Sequence, residues 1–311
     1  KQFIADGFNT VIAVPEELPL CRSNGLRAIL ATDVETAKKF TGDPSIWGYF
    51  VLDEPARKKI PYETVAGKVD EFHRMDAARP AYVNLNEQDD PADFIRIVKP
   101  RILSYDYYQW WAGSESFFPL LEKFRKASRN AGIPLICWAE AASVPNGPIP
   151  ADNPAKIRLS VNCLLAYGAK GIQWWGWRSF NRDAGSVNAE LRRLGPVIGA
   201  LSNVDVFHTP PVPQDSRAIP PDCCVQSSVS GLLLGLFKDK TVGDFIYVVN
   251  RSHNGPTEAV LEFSIPAATV SVFDAAAGRW TAVAAEDRGG RTVVRHRLDG
   301  GDGALFRIDA P

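Results

Sequence analysis

Trp47-Gly48-Tyr49-Phe50-Val51-Leu52-Asp53-Glu54-Pro55 is the stretch on which the reading of the fold turns. An apolar, aromatic-rich run of this length has the composition of a buried strand, and it stops abruptly in two carboxylates and a proline. Proline cannot donate into a parallel ladder, so Asp53 and Glu54 are expected at the strand's C-terminal tip. A second run of the same kind, Pro134-Leu135-Ile136-Cys137-Trp138-Ala139-Glu140, ends in another glutamate. Buried parallel strands that end in acids are the ends at which a (β/α)8 barrel places its chemistry.

Outward from these two runs, apolar strand-like segments alternate with amphipathic helical ones to about residue 200. Strands are predicted over residues 8–14, 25–32, 46–53, 81–86, 101–107, 133–139 and 171–177. Helical stretches fall between them, at 34–40, 62–78, 91–98, 117–131 and 154–168. Asp33 stands where a cap for the first of these is needed. Strict alternation of this kind argues for a parallel sheet covered by helices. A doubly wound open sheet usually carries a Gly-rich phosphate loop, and no such motif occurs, so the expected architecture is the α/β barrel. Seven strands are counted, and residues 1–7 read as the end of a helix closed by glycine. The expectation is therefore an eight-stranded TIM barrel whose first strand lies upstream of Lys1. After Leu201 prolines cluster (Pro210-Pro211, Pro213, Pro220-Pro221), and short alternating runs follow, separated by Gly-rich turns. These predict an antiparallel β-sandwich. The division expected is a barrel domain over residues 1–204 and a sandwich over 205–311.

Composition narrows the function. At 311 residues the chain is long enough for a barrel and a small second domain. A formal net charge of -1 gives no reason to expect nucleic acid or an anionic membrane as a partner, and no apolar run approaches the ~20 residues of a membrane span. The five cysteines (Cys21, Cys137, Cys163, Cys223, Cys224) show no metal-binding spacing, and three of the four histidines lie in the last third. Neither a His-rich metal site nor a Ser-His triad is expected, and no cofactor is implied. The eight tryptophans are concentrated in strand-like segments before residue 180. Flat indole rings with one polar tip suit the apolar faces of neutral sugars, although they also fill cores. Neither an initiator Met nor a leader precedes the first strand, and a secreted or periplasmic protein is expected. The composition sets no oligomeric state.

With an upstream strand counted first, residues 47–53 form the fourth strand and 134–139 the seventh, positions that face each other across a ring of eight. Glu54 and Glu140 are then expected to share a cleft. Glycosidic cleavage needs one protonated acid at the leaving oxygen and one ionised carboxylate at the anomeric carbon. A separation of about 5–5.5 Å gives direct attack and retention, and about 6.5–9.5 Å admits water and gives inversion.

At these residues the chain resembles the clan A retaining glycoside hydrolases, whose mark is a glutamate at the ends of strands four and seven. The Gly-Tyr-Phe-Val-Leu-Asp-Glu-Pro run is similar to that of the β-galactosidase-like and related barrels. The resemblance implies Glu54 as acid/base and Glu140 as nucleophile. It implies that a tyrosine of the segment Leu103-Ser104-Tyr105-Asp106-Tyr107-Tyr108 orients the nucleophile, so Tyr105 or Tyr107 takes that role. It also implies that Trp174 or Trp175, in Gln173-Trp174-Trp175-Gly176-Trp177, floors the sugar subsite. Asp53, Asn84, Asp106 and Trp138 complete the candidate substrate-binding set. Two departures stand out: Asp53 occupies the place where most clan members carry asparagine, and the arginine often found on the second strand is absent. Alternatives stay open at each position. Glu54 before Pro55 also suits a helix N-terminus, and a solvated loop acid is the alternative for Glu140. Asn84 and Asn86 serve as hydroxyl ligands or turn caps, and Gln109, Trp110 and Trp111 as an outer subsite or rim packing. Asp106 serves as an inverting base with Glu54 or as a structural ligand of its neighbours. A non-catalytic carbohydrate-binding barrel would keep the tryptophans and tie its carboxylates into salt bridges.

Overall fold

The computed structural model describes residues 2–141, 154–176, 182–239, 244–266 and 268–309. Trp177 lies outside the described residues, as does the side chain of Trp111. The chain forms two compact units, one of Lys1–Tyr107 with Lys123–Trp138, the other of Tyr108–Glu122 with Ala139–Pro311.

Seven parallel strands follow one another in sheet order: β1 Thr10–Ala13, β2 Arg27–Ala31, β3 Ile46–Asp53, β4 Ala81–Leu85, β5 Leu103–Asp106, β6 Leu135–Glu140 and β7 Gly171–Trp175. Helices alternate with the later strands: α1 Tyr62–Met75, α2 Pro91–Val98, the short α3 Gln109–Ala112, α4 Phe117–Ala131, α5 Pro154–Ala166 and α6 Arg182–Ala200. Consecutive parallel strands joined by helices make a TIM-barrel-like α/β fold. All seven predicted strands are present, each within a few residues of its expected bounds. Five end one or two residues early, among them β5, which stops at Asp106 and leaves Tyr107 beyond it, and β7, which stops at Trp175.

Local chemistry explains the helices of the first unit. Val65, Val69 and Phe72 recur every three or four residues and form the buried stripe of α1. Asp90 caps α2 by accepting from the Ala92 and Asp93 amides, with Pro91 in the first turn. Asp33 caps its own short helix through the Thr36 amide, as the sequence predicts. Under β3, Asp76 anchors the junction after α1. Its carboxylate accepts from the Tyr49 hydroxyl at 2.8 Å and pairs with Arg79, whose Nε also donates to the Ile46 carbonyl at 2.8 Å.

The second unit carries two antiparallel sheets, ordered β14-β13-β17-β11-β10-β8 and β15-β16-β12-β9. Their strands are β8 Ser202–His208, β9 Val225–Gln226, β10 Leu232–Lys238, β11 Asp244–Asn250, β12 Thr257–Phe263, β13 Thr269–Asp274, β14 Arg279–Ala282, β15 Ala285–Asp287, β16 Thr292–Leu298 and β17 Gly303–Asp309. Leu234, Val248, Leu261, Val294 and Phe306, drawn from both sheets, enter one buried cluster. Three strands, β8, β9 and β15, are not predicted from the sequence. Two of them are two or three residues long, and β8 follows a long helix with no turn signal before it. The α5 helix lies so close to β10 that a Cβ on Gly235 would stand 2.1 Å from the Ala166 carbonyl oxygen. All five cysteines are free thiols.

Burial alone would raise the carboxyl pKa of Asp76, but the bonds from Tyr49, Arg79 and the Ala78 amide outweigh it and hold it below the usual 3.8. A depressed folded-state pKa contributes stability that is fully present above the ordinary value and lost as pH falls through the lower folded one. Asp76→Asn is expected to cost about 2 kcal/mol at neutral pH. In urea titrations the gap between variant and wild type should narrow as pH falls below 3.8.

Candidate active site

The register places Asp53 beside Asn84, Asn84 beside Ser104 and Ser104 beside Ile136, so the C-terminal ends of β3, β4, β5 and β6 stand in one row. Polar side chains of this row form a continuous hydrogen-bonded chain. The Trp138 indole Nε1 donates to the Tyr82 hydroxyl at 2.9 Å. The Tyr82 and Ser104 hydroxyls lie 2.7 Å apart, and Ser104 donates to Asn84 Oδ1 at 2.8 Å. Asn84 Nδ2 then donates to Asp53 Oδ1 at 3.2 Å. An indole only donates and the asparagine NH2 faces a carboxylate, so Ser104 spends its proton on Asn84 and Tyr82 must donate to Ser104. Every donor therefore points toward Asp53. The other Asp53 oxygen takes Lys58 Nζ at 3.3 Å.

Glu54 follows directly. Its φ of 47° lies in the left-handed region, uncommon for a residue with a Cβ and costly enough to need fixing from outside. The fixing is visible: the Glu54 amide donates to the Asn84 carbonyl at 2.8 Å, and its own carbonyl accepts from Lys58 at 3.0 Å. The Glu54 carboxylate, mostly buried, meets Arg57 Nη1 at 3.3 Å through each oxygen. The loop after β4 adds Asp89, almost fully buried, whose Oδ1 accepts from the Ala56 amide at 3.2 Å and the Tyr62 hydroxyl at 2.9 Å. Burial raises the Asp89 pKa, its hydrogen bonds oppose the rise, and the charge of Glu54 adds to it.

Tyr105, the tyrosine within β5, turns away from this row. Ser104 belongs to the hydrogen-bonded chain, so the alternation of the strand turns Tyr105 to the other face, where its ring stacks on Phe124 of α4 at 4.0 Å. The Tyr105 hydroxyl is buried and has no partner among the described residues, and burial drives its pKa well up. Of the two tyrosines expected to orient a carboxylate, Tyr105 is thus committed to the helix layer, and Tyr107 is half-buried just past the strand. Asp106 is buried at the tip of β5, its Cα paired with Trp138. Asn86 is buried too, with Oδ1 accepting from the Gln88 amide and Nδ2 unpartnered among the described residues.

In the second unit, Glu140 closes β6 with 3% of its surface exposed, so it is no solvated loop acid. Its Oε2 accepts from the Trp110 amide at 3.0 Å, in the first turn of α3. That turn is pinned by Ser160 of α5, whose Oγ receives Gln109 Nε2 at 2.7 Å and Trp110 Nε1 at 2.9 Å. The Trp110 ring also carries Lys156 Nζ over its face at 4.7 Å and His253 against its edge. Trp174 and Trp175 point opposite ways. The Trp174 indole is buried and donates to Asn188 at 2.8 Å, whereas Trp175 is partly exposed and stacks on Tyr108 at 4.9 Å. Tyr82, Ser104, Asp89 and Ser160 carry no motif, and only their positions after folding reveal them.

Among the described residues no group of His, Cys, Asp and Glu could hold a metal ion, and no helix is long and apolar enough to cross a membrane. No protein-family model matches the chain, and no curated protein matches its sequence. Likeness appears at the level of fold. A GH27 β-L-arabinopyranosidase from Geobacillus stearothermophilus superposes with a TM-score of 0.57 over 97% of this chain and 81% of its own, at 9% identity. A GH51 arabinofuranosidase from Xanthomonas axonopodis pv. citri gives 0.50 over 94% and 78%, at 11% identity. A family 44 xyloglucanase from Paenibacillus polymyxa gives 0.50 over 94% and 82%, at 9% identity.

Ser104→Ala is expected to take the donor from the buried Asn84 side-chain carbonyl and one partner from the buried Tyr82 hydroxyl, and to cost about 1–3 kcal/mol. Denaturant unfolding checks it; a loss below about 0.5 kcal/mol would mean that the polar chain is not a connected unit.

Proposed function

We propose that this protein is a glycoside hydrolase that cleaves a neutral, β-linked glycan with retention, using Glu54 as acid/base and Glu140 as nucleophile. The observation that carries this reading is the pair of buried or half-buried carboxylates at the C-terminal ends of β3 and β6 of a TIM-barrel-like sheet. The C-terminal face is where barrel enzymes place their chemistry. The fold likeness to several glycosidases supports the reading, and so does the absence of any motif for another chemistry in the sequence. Residues 1–204 are taken as the catalytic barrel and 205–311 as an appended β-sandwich.

In this mechanism Glu140 attacks the anomeric carbon while Glu54 protonates the leaving oxygen, forming a glycosyl-enzyme ester. Glu54 then takes a proton from water as the water displaces Glu140. The reading requires the two carboxyls to lie about 5–5.5 Å apart across one cleft. The Trp110 amide donates to one Glu140 oxygen and fixes the aim of the carboxylate. Trp175, the more open of the β7 pair, is the tryptophan assigned to stacking on the sugar, and Tyr107 is assigned to Glu140. Asn86 Nδ2, buried without a partner among the described residues, is a donor suited to a substrate hydroxyl. Asp53, tied to Asn84 and Lys58, differs from an asparagine in offering the sugar acceptors only.

One observation favours a second reading. Glu54 pairs with Arg57 and Asp53 with Lys58, the arrangement expected if the barrel binds carbohydrate without cleaving it. A panel of aryl and oligosaccharide β-glycosides separates the two. The hydrolase reading expects turnover that falls by about 10³-fold or more in Glu140→Gln with binding retained. It also expects a first-formed product, read by NMR, with the anomeric configuration of the substrate. An inverted product would transfer the base role to Asp106. Calorimetric binding with no reducing ends released would establish the binding protein.

A further inference from the structure

Glu54 is the least ordinary residue of the first unit, because its backbone is left-handed and its side chain carries the proposed chemistry. The turn that follows is helical in its bonding: Lys58 donates to the Glu54 carbonyl, Lys59 to Ala56 and Ile60 to Pro55. A helical turn leaves its first amides without internal partners. Glu54 donates to Asn84, and Pro55 has no N–H. The next orphan is the Ala56 amide, and no residue of its own loop meets it. Asp89, from the loop after β4, does so at 3.2 Å.

Asp89 is unusually well placed to act at a distance. It is 1% exposed, and both carboxylate oxygens are in use. Oδ1 takes Ala56 N–H and Tyr62 O–H, and Oδ2 takes Asn86 N–H at 2.9 Å. Tyr62 in turn accepts from the Asp90 amide at 3.0 Å, and Lys123 Nζ donates to the Asp89 carbonyl at 3.1 Å. One buried carboxylate thereby ties the Glu54 turn, the start of α1 and the loop bearing Asn86 into a single unit. A buried carboxylate is an expensive way to hold a loop. The same fold could have used a capping serine. What the carboxylate adds is rigidity, because three donors converge on one planar group.

We propose that Asp89 is the positioning residue of the site, holding the Glu54 turn and Asn86 in register through the Ala56 and Asn86 amides. This rests on the assignment of Glu54 as acid/base. Asp89 touches no reacting atom in this scheme; it fixes where the Glu54 carboxyl sits. Misplacing a catalytic group by about 1 Å costs about 10²-fold in rate.

The test compares wild type, Asp89→Ala, Asp89→Asn and Glu54→Gln by amide hydrogen exchange and by steady-state kinetics on whichever aryl glycoside the wild type hydrolyses. Asp89→Ala should deprotect the Ala56 and Asn86 amides and lower kcat per folded molecule about 10²-fold, with KM nearly unchanged. Asp89→Asn keeps an acceptor for Ala56 and should restore much of both. Unchanged exchange at Ala56 in Asp89→Ala would overturn the proposal whatever the activity. A loss explained wholly by a smaller folded fraction, with kcat per folded molecule intact, would overturn it too. If Glu54→Gln turns over like wild type, the acid/base assignment fails instead, and the exchange data alone then decide whether Asp89 is the tether.

Discussion

Asn84 sits almost fully buried on β4 and spends three polar groups on its neighbours. Its backbone carbonyl accepts the Glu54 amide, its side-chain carbonyl accepts Ser104 and its NH2 reaches Asp53. Three adjacent strands are therefore joined by one amide, beyond the ladder that already pairs them. At these buried positions each of the partners matters, since a buried polar group left unmet costs about 1–3 kcal/mol. The polar chain that ends at Asp53 begins at the Trp138 indole, so the orientation of β6's tryptophan and β3's aspartate are linked through two hydroxyls and an amide. The specificity of such a network is directional: each donor has one acceptor, and reversing any single member would leave two others unpaired.

The two proposed catalytic carboxylates are held by different means. Glu54 stands on a strained turn and depends on bonds from outside its own loop, from Asn84 before it and Asp89 after it. Glu140 ends a strand without strain and is fixed through an amide of α3, a four-residue helix pinned to α5 by Ser160. Strain at one carboxylate and a relaxed backbone at the other suit a division of labour. A proton donor that must also release and reclaim its proton gains from a defined aim, and a nucleophile gains from an oxygen fixed by a backbone amide.

Strand order, the strand-end position of both glutamates and the separate antiparallel region could all be read from the sequence, because each rests on a short-range physical rule. Apolar runs must be buried, proline stops a ladder, and the alternation of strand and helix leaves few topologies. Even the ambiguous choice at Trp174-Trp175 follows such a rule, since neighbours on a strand must face opposite sides. Which of the two faces the helices was decided by Asn188, fourteen residues on, through a bond that no local pattern announces.

That the carboxylates end their strands, and that Asp rather than Asn precedes Glu54, follows from the order of the residues alone. Folding was needed to stack Tyr105 into the helix layer, to end at Asp53 a polar chain starting at Trp138, and to bring Asp89 and Ser160 to the turns beside the two glutamates. The reason is range. Periodicity and turn chemistry act over a few residues, whereas Trp138 meets Tyr82 across 56 positions and Trp110 meets Ser160 across 50. Contacts of that separation exist only once the sheet has set its register.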